Sequence, residues 1–337
     1  MSCLGIGRRE EAIMDIDIAR TNEAPSRLYG LLLRLRPLEY GTLMPFSGEL
    51  VHGAWLNWIR SYAPEVATWL HDGNRRRLFT CSSLQFPLPV RKLRDAEREN
   101  IHLPVDPTRP CAIRITLLLG DLFPLFYDSL MQFNSSPDSA MQAPFIKLGK
   151  RTFLLEEVLL NNDDTTGWTG FTSFSDLVAA VQDSGQQRQE FFTLEFASLT
   201  TFNRSGRTGG EQSSYYARLP LPHYVFLGLA RRWQELAPPE MVDLVQRDLI
   251  EQYIQDDGLV IDDYDLRPHI VRFVNHPQRG FIGTCTYRFR GSAATDQNSP
   301  LTVQQQILLL ARLAFYTGVG YKPAMGMGQC RFLSGRR

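Results

Sequence analysis

Two hydrophobic periods alternate along this chain. The stretch "SRLYGLLLRLRPLEY", from Ser26, interleaves leucines with arginines and predicts a strand. In "SGELVHGAWLNWIRSYAPEVATWLHDG" the apolar positions Val51, Trp55, Trp58 and Tyr62 recur at a helical period. Ser47 suits its N-cap and Gly73 its stop, and Pro64 predicts a bend or a split. "RLFTCSSLQF" and "CAIRITLLLG" read as strands, "LFPLFYDSLMQF" as a short helix, and "APFIKLGKRTFLLEEVLL" as a strand pair or one long strand, with a turn at Gly149. Strand, helix, strand, strand, helix, strand is the ferredoxin-like order. After "NNDDTTGWTG" it recurs: "FFTLEFASLTTF" as a strand, "LPHYVFLGLARRWQEL" as a helix opened by proline, "HIVRFV" and "GFIGTCTYRF" as strands, "VQQQILLLARLAFYTG" as a helix and "GQCRFL" as a closing strand. The expected fold is therefore α+β, with two tandem ferredoxin-like (RRM-like, βαββαβ) domains. A polar extension covers residues 1–25, one domain spans 26–165 and the other 166–337, joined near 161–169.

Three stretches lack either period and read as loops: "DAERENIHLPVDPTRP", "NRSGRTGGEQSS" (203–214) and the acidic "QDDGLVIDDYDLRP", whose spacing misses the EF-hand pattern and suits a solvated hairpin. At 337 residues with 43% hydrophobic content, two cores are affordable. No apolar run reaches the ~20 residues of a membrane span, and the N-terminal segment mixes acids with bases, unlike a secretion signal. The five cysteines, Cys3, Cys81, Cys111, Cys285 and Cys330, are scattered without a CxxC pair. That argues against a zinc site or a disulfide framework and for a cytoplasmic protein. No metal and no cofactor are expected.

The formal net charge is zero, which excludes a nonspecific coat for nucleic acid but not a local basic groove. Four of the 36 basic residues are lysines and the rest arginines, whose planar fork suits phosphates and base edges; a codon bias toward arginine would give the same count. The tail "GVGYKPAMGMGQC" places Gly318, Gly320, Gly326 and Gly328 within eleven residues, directly after an apolar helix. Lys322 is followed by proline, so it is not a Walker loop, and the helix precedes the glycines, the reverse of a dinucleotide fingerprint. Two readings remain. The tail lays its backbone along a polyanion, with Lys322 as charge and Tyr321 as stacking surface, or it is a turn packed against its own domain.

"TGVGYKPAMGMGQCRF" strongly resembles the signature loop of the RAMP superfamily, and more narrowly the CRISPR-associated endoribonucleases that cut precursor CRISPR RNA within its repeats. "MPFSGELVHGAWLNWIR", "GWTGFTSF" and "LPLPHYVFLGLARRW" agree with that family, and the likeness spans roughly residues 27–335. The resemblance implies RNA lying across two ferredoxin-like domains. It also implies metal-independent cleavage, in which a ribose 2′-hydroxyl attacks its own phosphate and leaves a 2′,3′-cyclic phosphate and a 5′-hydroxyl. CRISPR repeat RNA (crRNA) is the implied partner, with other CRISPR effector-complex subunits as further candidates and no membrane. The same signature occurs in relatives that hold guide RNA without cutting it, so a catalytically inactive guide-RNA-binding subunit is the alternative. A nucleotide-using metabolite enzyme is the remotest reading.

Such a cleavage needs a base, a cation for the phosphorane and an acid for the leaving oxygen. Among His52, His71, His102, His223, His269 and His276, His52 matches the family's helix-start histidine. It sits in a first helical turn, where anions are favoured, although it shares a stripe with Leu56 and Ile59, as a core-edge histidine would. Relatives often carry a lysine on that helix; here none lies between Ser47 and Asp72, and Arg60 is its one arginine. The resemblance also points to a tyrosine near the first strand, Tyr40 with Tyr29 as alternative, and to Ser47. Lys147, Lys150 and Arg151 form a basic turn suited to a hairpin backbone, and Lys322 and Arg331 flank the tail glycines. "NRRR" (Asn74–Arg77), Arg91, Lys92 and Arg94, and Arg204 and Arg207 are further basic clusters, each of which could equally be a solvated face.

Overall fold

The structure is a computed structural model that describes residues 27–71, 78–135, 144–160, 167–183, 189–208, 211–291 and 299–333. The first half runs β1 (Arg27–Pro37), β2 (Gly41–Leu43), α1 (Gly48–Tyr62), α2 (Pro64–His71), β3 (Phe79–Cys81), α3 (Val90–Glu99), β4 (Leu103–Val105), β5 (Cys111–Leu117), α4 (Leu122–Ser135), β6 (Phe145–Leu148) and β7 (Arg151–Leu159). Its sheet has the order β3-β5-β1-β7-β6, with antiparallel pairings. Counting β1, β3, β5 and β7 as the four strands gives 2-3-1-4, the ferredoxin-like arrangement. β8 (Gly170–Ser173) pairs with the start of β1. The second half continues with α5 (Phe174–Asp183), β9 (Phe191–Thr200), the hairpin β10 (Phe202–Thr208) and β11 (Glu211–Ala217), α6 (Pro222–Leu236), α7 (Arg247–Gln255), β12 (Leu259–Arg272), β13 (Pro277–Phe289), α8 (Val303–Thr317) and β14 (Cys330–Leu333). Its sheet order, β12-β13-β9-β14, repeats 2-3-1-4. The molecule is thus an α+β chain of two ferredoxin-like halves. The extension at 1–25 lies outside the described residues.

Local chemistry accounts for the boundaries. Pro64 splits the predicted helix, as its sequence implied. The residue before a proline is pushed out of the helical region, and Ala63 sits at φ −137°, ψ 82°. Ser47 occupies the N-cap position but makes no side-chain cap; its hydroxyl instead accepts the Leu84 amide at 2.8 Å, tying the start of α1 to the chain after β3. Two expected loops are strands. The acidic stretch forms the first part of β12, where Asp262, Asp263, Tyr264 and Asp265 are all exposed. A strand wet on both faces shows no alternation to read. "NRSGRTGGEQSS" lies in the β10–β11 hairpin, registered from Phe202↔Ala217 to Thr208↔Glu211, and "DAERENIHLPVDPTRP" holds the end of α3 and all of β4.

The halves are stitched along α8, which opens with a capping box between Thr302 and Gln305 and is buried on nearly every side. Helix C-termini leave carbonyls without intrahelical donors. Here β5 of the other half supplies them: Arg114 Nη2 donates to Phe315 O at 2.8 Å and Thr116 Oγ1 to Tyr316 O at 2.7 Å. Arg114 Nε also donates to Trp168 O at 2.7 Å, and its guanidinium lies 4.4 Å from the Phe315 ring centre. Burial pushes the Arg114 pKa down to about 9, Tyr316 opposing and nearby Arg331 adding to the fall. The group therefore stays charged at neutral pH, facing the negative end of a helix dipole. This fixes where α8 ends and the glycine-rich tail begins.

Candidate active site

A cleft of about 760 Å³ opens where the tail meets both halves. The first half contributes His52 and Thr80. The second contributes Phe202, Asn203 and Arg204 of the β10 segment, His223, Tyr224, Arg231 and Arg232 of α6, Arg247 and Glu251 of α7, and the tail from Thr317 to Met325. Five cations therefore line one cavity: Arg204, Arg231, Arg232, Arg247 and Lys322. Arg232 is paired with Glu235 at 2.8 Å and Arg247 with Glu251 at 3.7 Å. Aromatic rings accompany the charges. Arg204 lies 5.1 Å over the Tyr224 ring, and His223 packs 3.8 Å from it. Lys322 Nζ stands 4.5 Å from the Phe273 ring and 5.3 Å from Tyr321, which in turn meets Tyr216 at 5.4 Å. Burial, reinforced by Arg204, lowers the His223 pKa. A hydrogen bond to Tyr321 raises that of Tyr216.

His52 reaches this cleft from the first turns of α1. It is 8% exposed, and its ring stacks on Phe79 at 5.3 Å. Its Nδ1 lies 2.9 Å from Ala324 O. A carbonyl oxygen can only accept, so Nδ1 carries a proton, and whenever the ring is neutral its lone pair is on Nε2. That is the atom with which an imidazole takes a proton from a hydroxyl.

The tail divides between the two roles weighed for it. Gly320, Tyr321, Lys322 and Pro323 form an outer lip on the cleft, with Gly320 exposed. Gly318, Gly326 and Gly328 are buried in the protein's own backbone: a Cβ at Gly328 would lie 2.1 Å from Val319 O, and one at Gly318 3.0 Å from Gly328 O. Arg331 points away to the seam between the halves, donating to Glu195 at 2.6 Å and lying 4.7 Å over Trp168.

The other predicted residues fall elsewhere. Ser47 is fully buried, with its hydroxyl spent on Leu84. Tyr29 stacks on Phe123 at 4.4 Å in the first half's core. Arg60 is exposed, hydrogen-bonded to Asn57, and stands about 12 Å along α1 from His52 at the helical rise. Tyr40 is 70% exposed, beside the Arg151–Glu39 ion pair of 3.0 Å. None of these four lines the cleft. Lys147 and Lys150 are exposed on the β6–β7 hairpin, which packs beside the start of α1: a Cβ at Gly149 would lie 3.6 Å from Leu50. Arg91 and Lys92 are exposed on α3. Asn74–Arg77 lie outside the described residues, as does the side chain of Arg207. The sequence reading missed Arg231, Arg232, Arg247 and His223, whose one local signal was the arginine pair inside an otherwise apolar helix. Among the described residues no cluster of three or more His, Cys, Asp or Glu is placed to hold a metal ion, and no helix is long and apolar enough to cross a membrane.

Comparison with known proteins agrees with the geometry. A model of the CRISPR Cas6 N-terminal domain matches residues 28–179, and one of the CRISPR-associated endoribonuclease Cas6 matches residues 194–330. Among solved structures, a Cas6 (TTHB231) product complex is 25% identical, with a TM-score of 0.65 over 91% of this chain and 100% of that one. Thermus thermophilus Cas6 (TTHB231) gives 24%, 0.58, 92% and 100%. A Cas6 (TTHA0078) product complex gives 21%, 0.58, 91% and 100%, which speaks for the fold. No curated protein matches the chain. With the two models meeting the two halves in order, each over one ferredoxin-like unit, the chain belongs to the Cas6 family of CRISPR-associated endoribonucleases.

Proposed function

We propose that this protein cuts precursor CRISPR RNA within its repeats without a metal ion and keeps hold of the repeat hairpin. The observation that carries the reading is that one cleft joins His52 to the tail lip and to a row of arginines. His52 Nε2 takes the proton of the ribose 2′-hydroxyl, and the 2′-oxygen attacks the adjacent phosphorus. As the bond to the 5′-oxygen breaks, that oxygen takes up a proton and leaves as a 5′-hydroxyl, with a 2′,3′-cyclic phosphate behind. Lys322 lines the cleft from the tail and not from α1; it supplies the cation, and an ammonium is a better proton donor than a guanidinium.

RNA contact is assigned to Gly320, Tyr321 and Lys322 in the cleft and to Lys147, Lys150 and Arg151 on the hairpin beside α1. Gly318, Gly326 and Gly328 serve the loop's own shape, and Arg331 serves the seam between the halves. The same reading divides the chain at 165/166, with β8 lending a strand back to the first sheet, and puts the protein in the cytoplasm, alone or with other CRISPR subunits. The test is incubation of purified protein with repeat RNA in excess EDTA, followed by end-group analysis. Products ending in a cyclic phosphate and a 5′-hydroxyl support the reading; 3′-hydroxyl and 5′-phosphate ends overturn it. A guide-RNA-binding subunit without activity is the second reading, favoured by the absence of Tyr40, Ser47 and Arg60 from the cleft lining. It predicts binding with no product.

A further inference from the structure

The glycine-rich tail has an inward face as well as an outer lip. Ala324, inside its short 3₁₀ turn at Pro323–Met325, is 5% exposed and belongs to the core of the first half. Its carbonyl accepts two donors from that half: His52 Nδ1 at 2.9 Å and Cys81 Sγ at 2.8 Å. A carbonyl has two lone pairs, so both contacts are satisfied at once. Burial holds the Cys81 thiol far above its ordinary value, so the sulfur keeps its proton and donates, while the Gly326 amide hydrogen-bonds to the same sulfur. The approach is close enough to forbid a side chain on α1. A Cβ at Gly48 would stand 2.0 Å from Met325 O and 2.5 Å from its carbonyl carbon.

We propose that the main-chain carbonyl of Ala324 is the positioning partner of His52, holding its ring in the Nδ1–H tautomer so that Nε2 faces the reaction. Free imidazole side chains prefer the other tautomer, with the proton on Nε2, which cannot accept from a 2′-hydroxyl. A base supplied by the first half is thus oriented by a backbone atom of the second, and Gly48 leaves the room in which the next carbonyl of that turn, Met325 O, sits against α1. The Arg114 and Thr116 bonds to the end of α8 hold the tail's root in register with it. This inference rests on the reading of His52 as the base.

The test is ¹⁵N spectroscopy of the histidine-labelled full chain, above the pH at which the ring titrates, beside single-turnover cleavage of repeat RNA. The wild-type protein should show His52 with a protonated Nδ1 and an unprotonated Nε2. Gly48→Ala should lose that signature and cleave about a hundredfold more slowly, the scale of a small misplacement of a reacting group, while RNA affinity stays within about threefold. Gly53→Ala, on the same helix but where the added Cβ meets nothing within 4 Å beyond its own stretch of helix, should fold and cleave as wild type. If Gly48→Ala fails to fold, the wild-type spectrum decides: a proton on Nε2 overturns the proposal. So does a folded Gly48→Ala that loses the signature yet cleaves at the wild-type rate. Full activity in His52→Ala would instead remove the base itself, and this inference with it, whatever the spectrum shows.

Discussion

What a histidine can do depends on the atom that holds it. His269 Nε2 meets the Glu97 carboxylate at 2.8 Å, and a carboxylate can only accept, so that nitrogen is the one that donates. His52 faces a carbonyl, which fixes the tautomer without demanding a charge. His223 differs from both, its pKa lowered by burial and by Arg204. Bound phosphate favours its protonated form, so RNA raises that pKa and affinity must rise as pH falls below the ordinary histidine range. Titration of RNA binding between neutral and mildly acidic pH should show this tightening, and His223→Ala should flatten it. Lys322 is tested by salt. Lys322→Ala should weaken binding to single-stranded repeat RNA and reduce the slope of log K against log salt by about 0.7, the share of one phosphate contact. An unchanged slope would place Lys322 outside the phosphate path.

At the scale of elements, glycine in the tail serves geometry first. Gly328 has φ +68° and stands against Val319 O. Gly328→Ala should therefore cost roughly 1–3 kcal/mol from backbone strain alone, with the clash adding to it, read as a lower denaturant midpoint. A midpoint equal to wild type would mean the tail is looser than its packing implies. These elements also show what a sequence reveals. β1, α6 and α8 were legible because each buries a face against a core, and burial writes a period: Leu31, Leu33 and Leu35 on one, Val225, Phe226, Leu229 and Trp233 on another. The first part of β12 and the β10–β11 hairpin were not, since Asp262 to Asp265 meet water on both faces and Gly206 and Ser213 carry no apolar signal. α5 and α7 were missed as short helices between longer ones. For the site, His52 was singled out by the family resemblance of its helix start, since its stripe with Leu56 and Ile59 suits a core-edge histidine as well. Its partner was not, because any residue offers a carbonyl, and only the fold decides that Ala324 meets it. The cleft arginines come from three separate elements, and Arg231 and Arg247 converge only in three dimensions.

For the whole molecule, the halves are joined through buried polar bonds as well as apolar contact. Thr116 donates to Tyr316 O, and its oxygen accepts from Thr80 Oγ1 at 2.6 Å. Thr116→Val keeps the shape but leaves a buried carbonyl and a buried hydroxyl without their partner, a loss of about 1–3 kcal/mol for each group so stranded. With α8 shared between the halves, both should unfold in one transition by far-UV circular dichroism and by tryptophan fluorescence, and the variant should lower that single midpoint. Two separate transitions would show that the seam is weaker than its bonds indicate. The joint matters because the cleft exists only while the halves are docked: His52 is on one side and the tail lip on the other.

The measurement that bears most directly on this account is single-turnover cleavage of repeat RNA by His52→Ala beside the wild-type protein, with affinity measured on the same preparations. Removal of a general base should slow cleavage by about 10²–10⁴-fold and leave affinity unchanged. Cleavage by His52→Ala at the wild-type rate would contradict it.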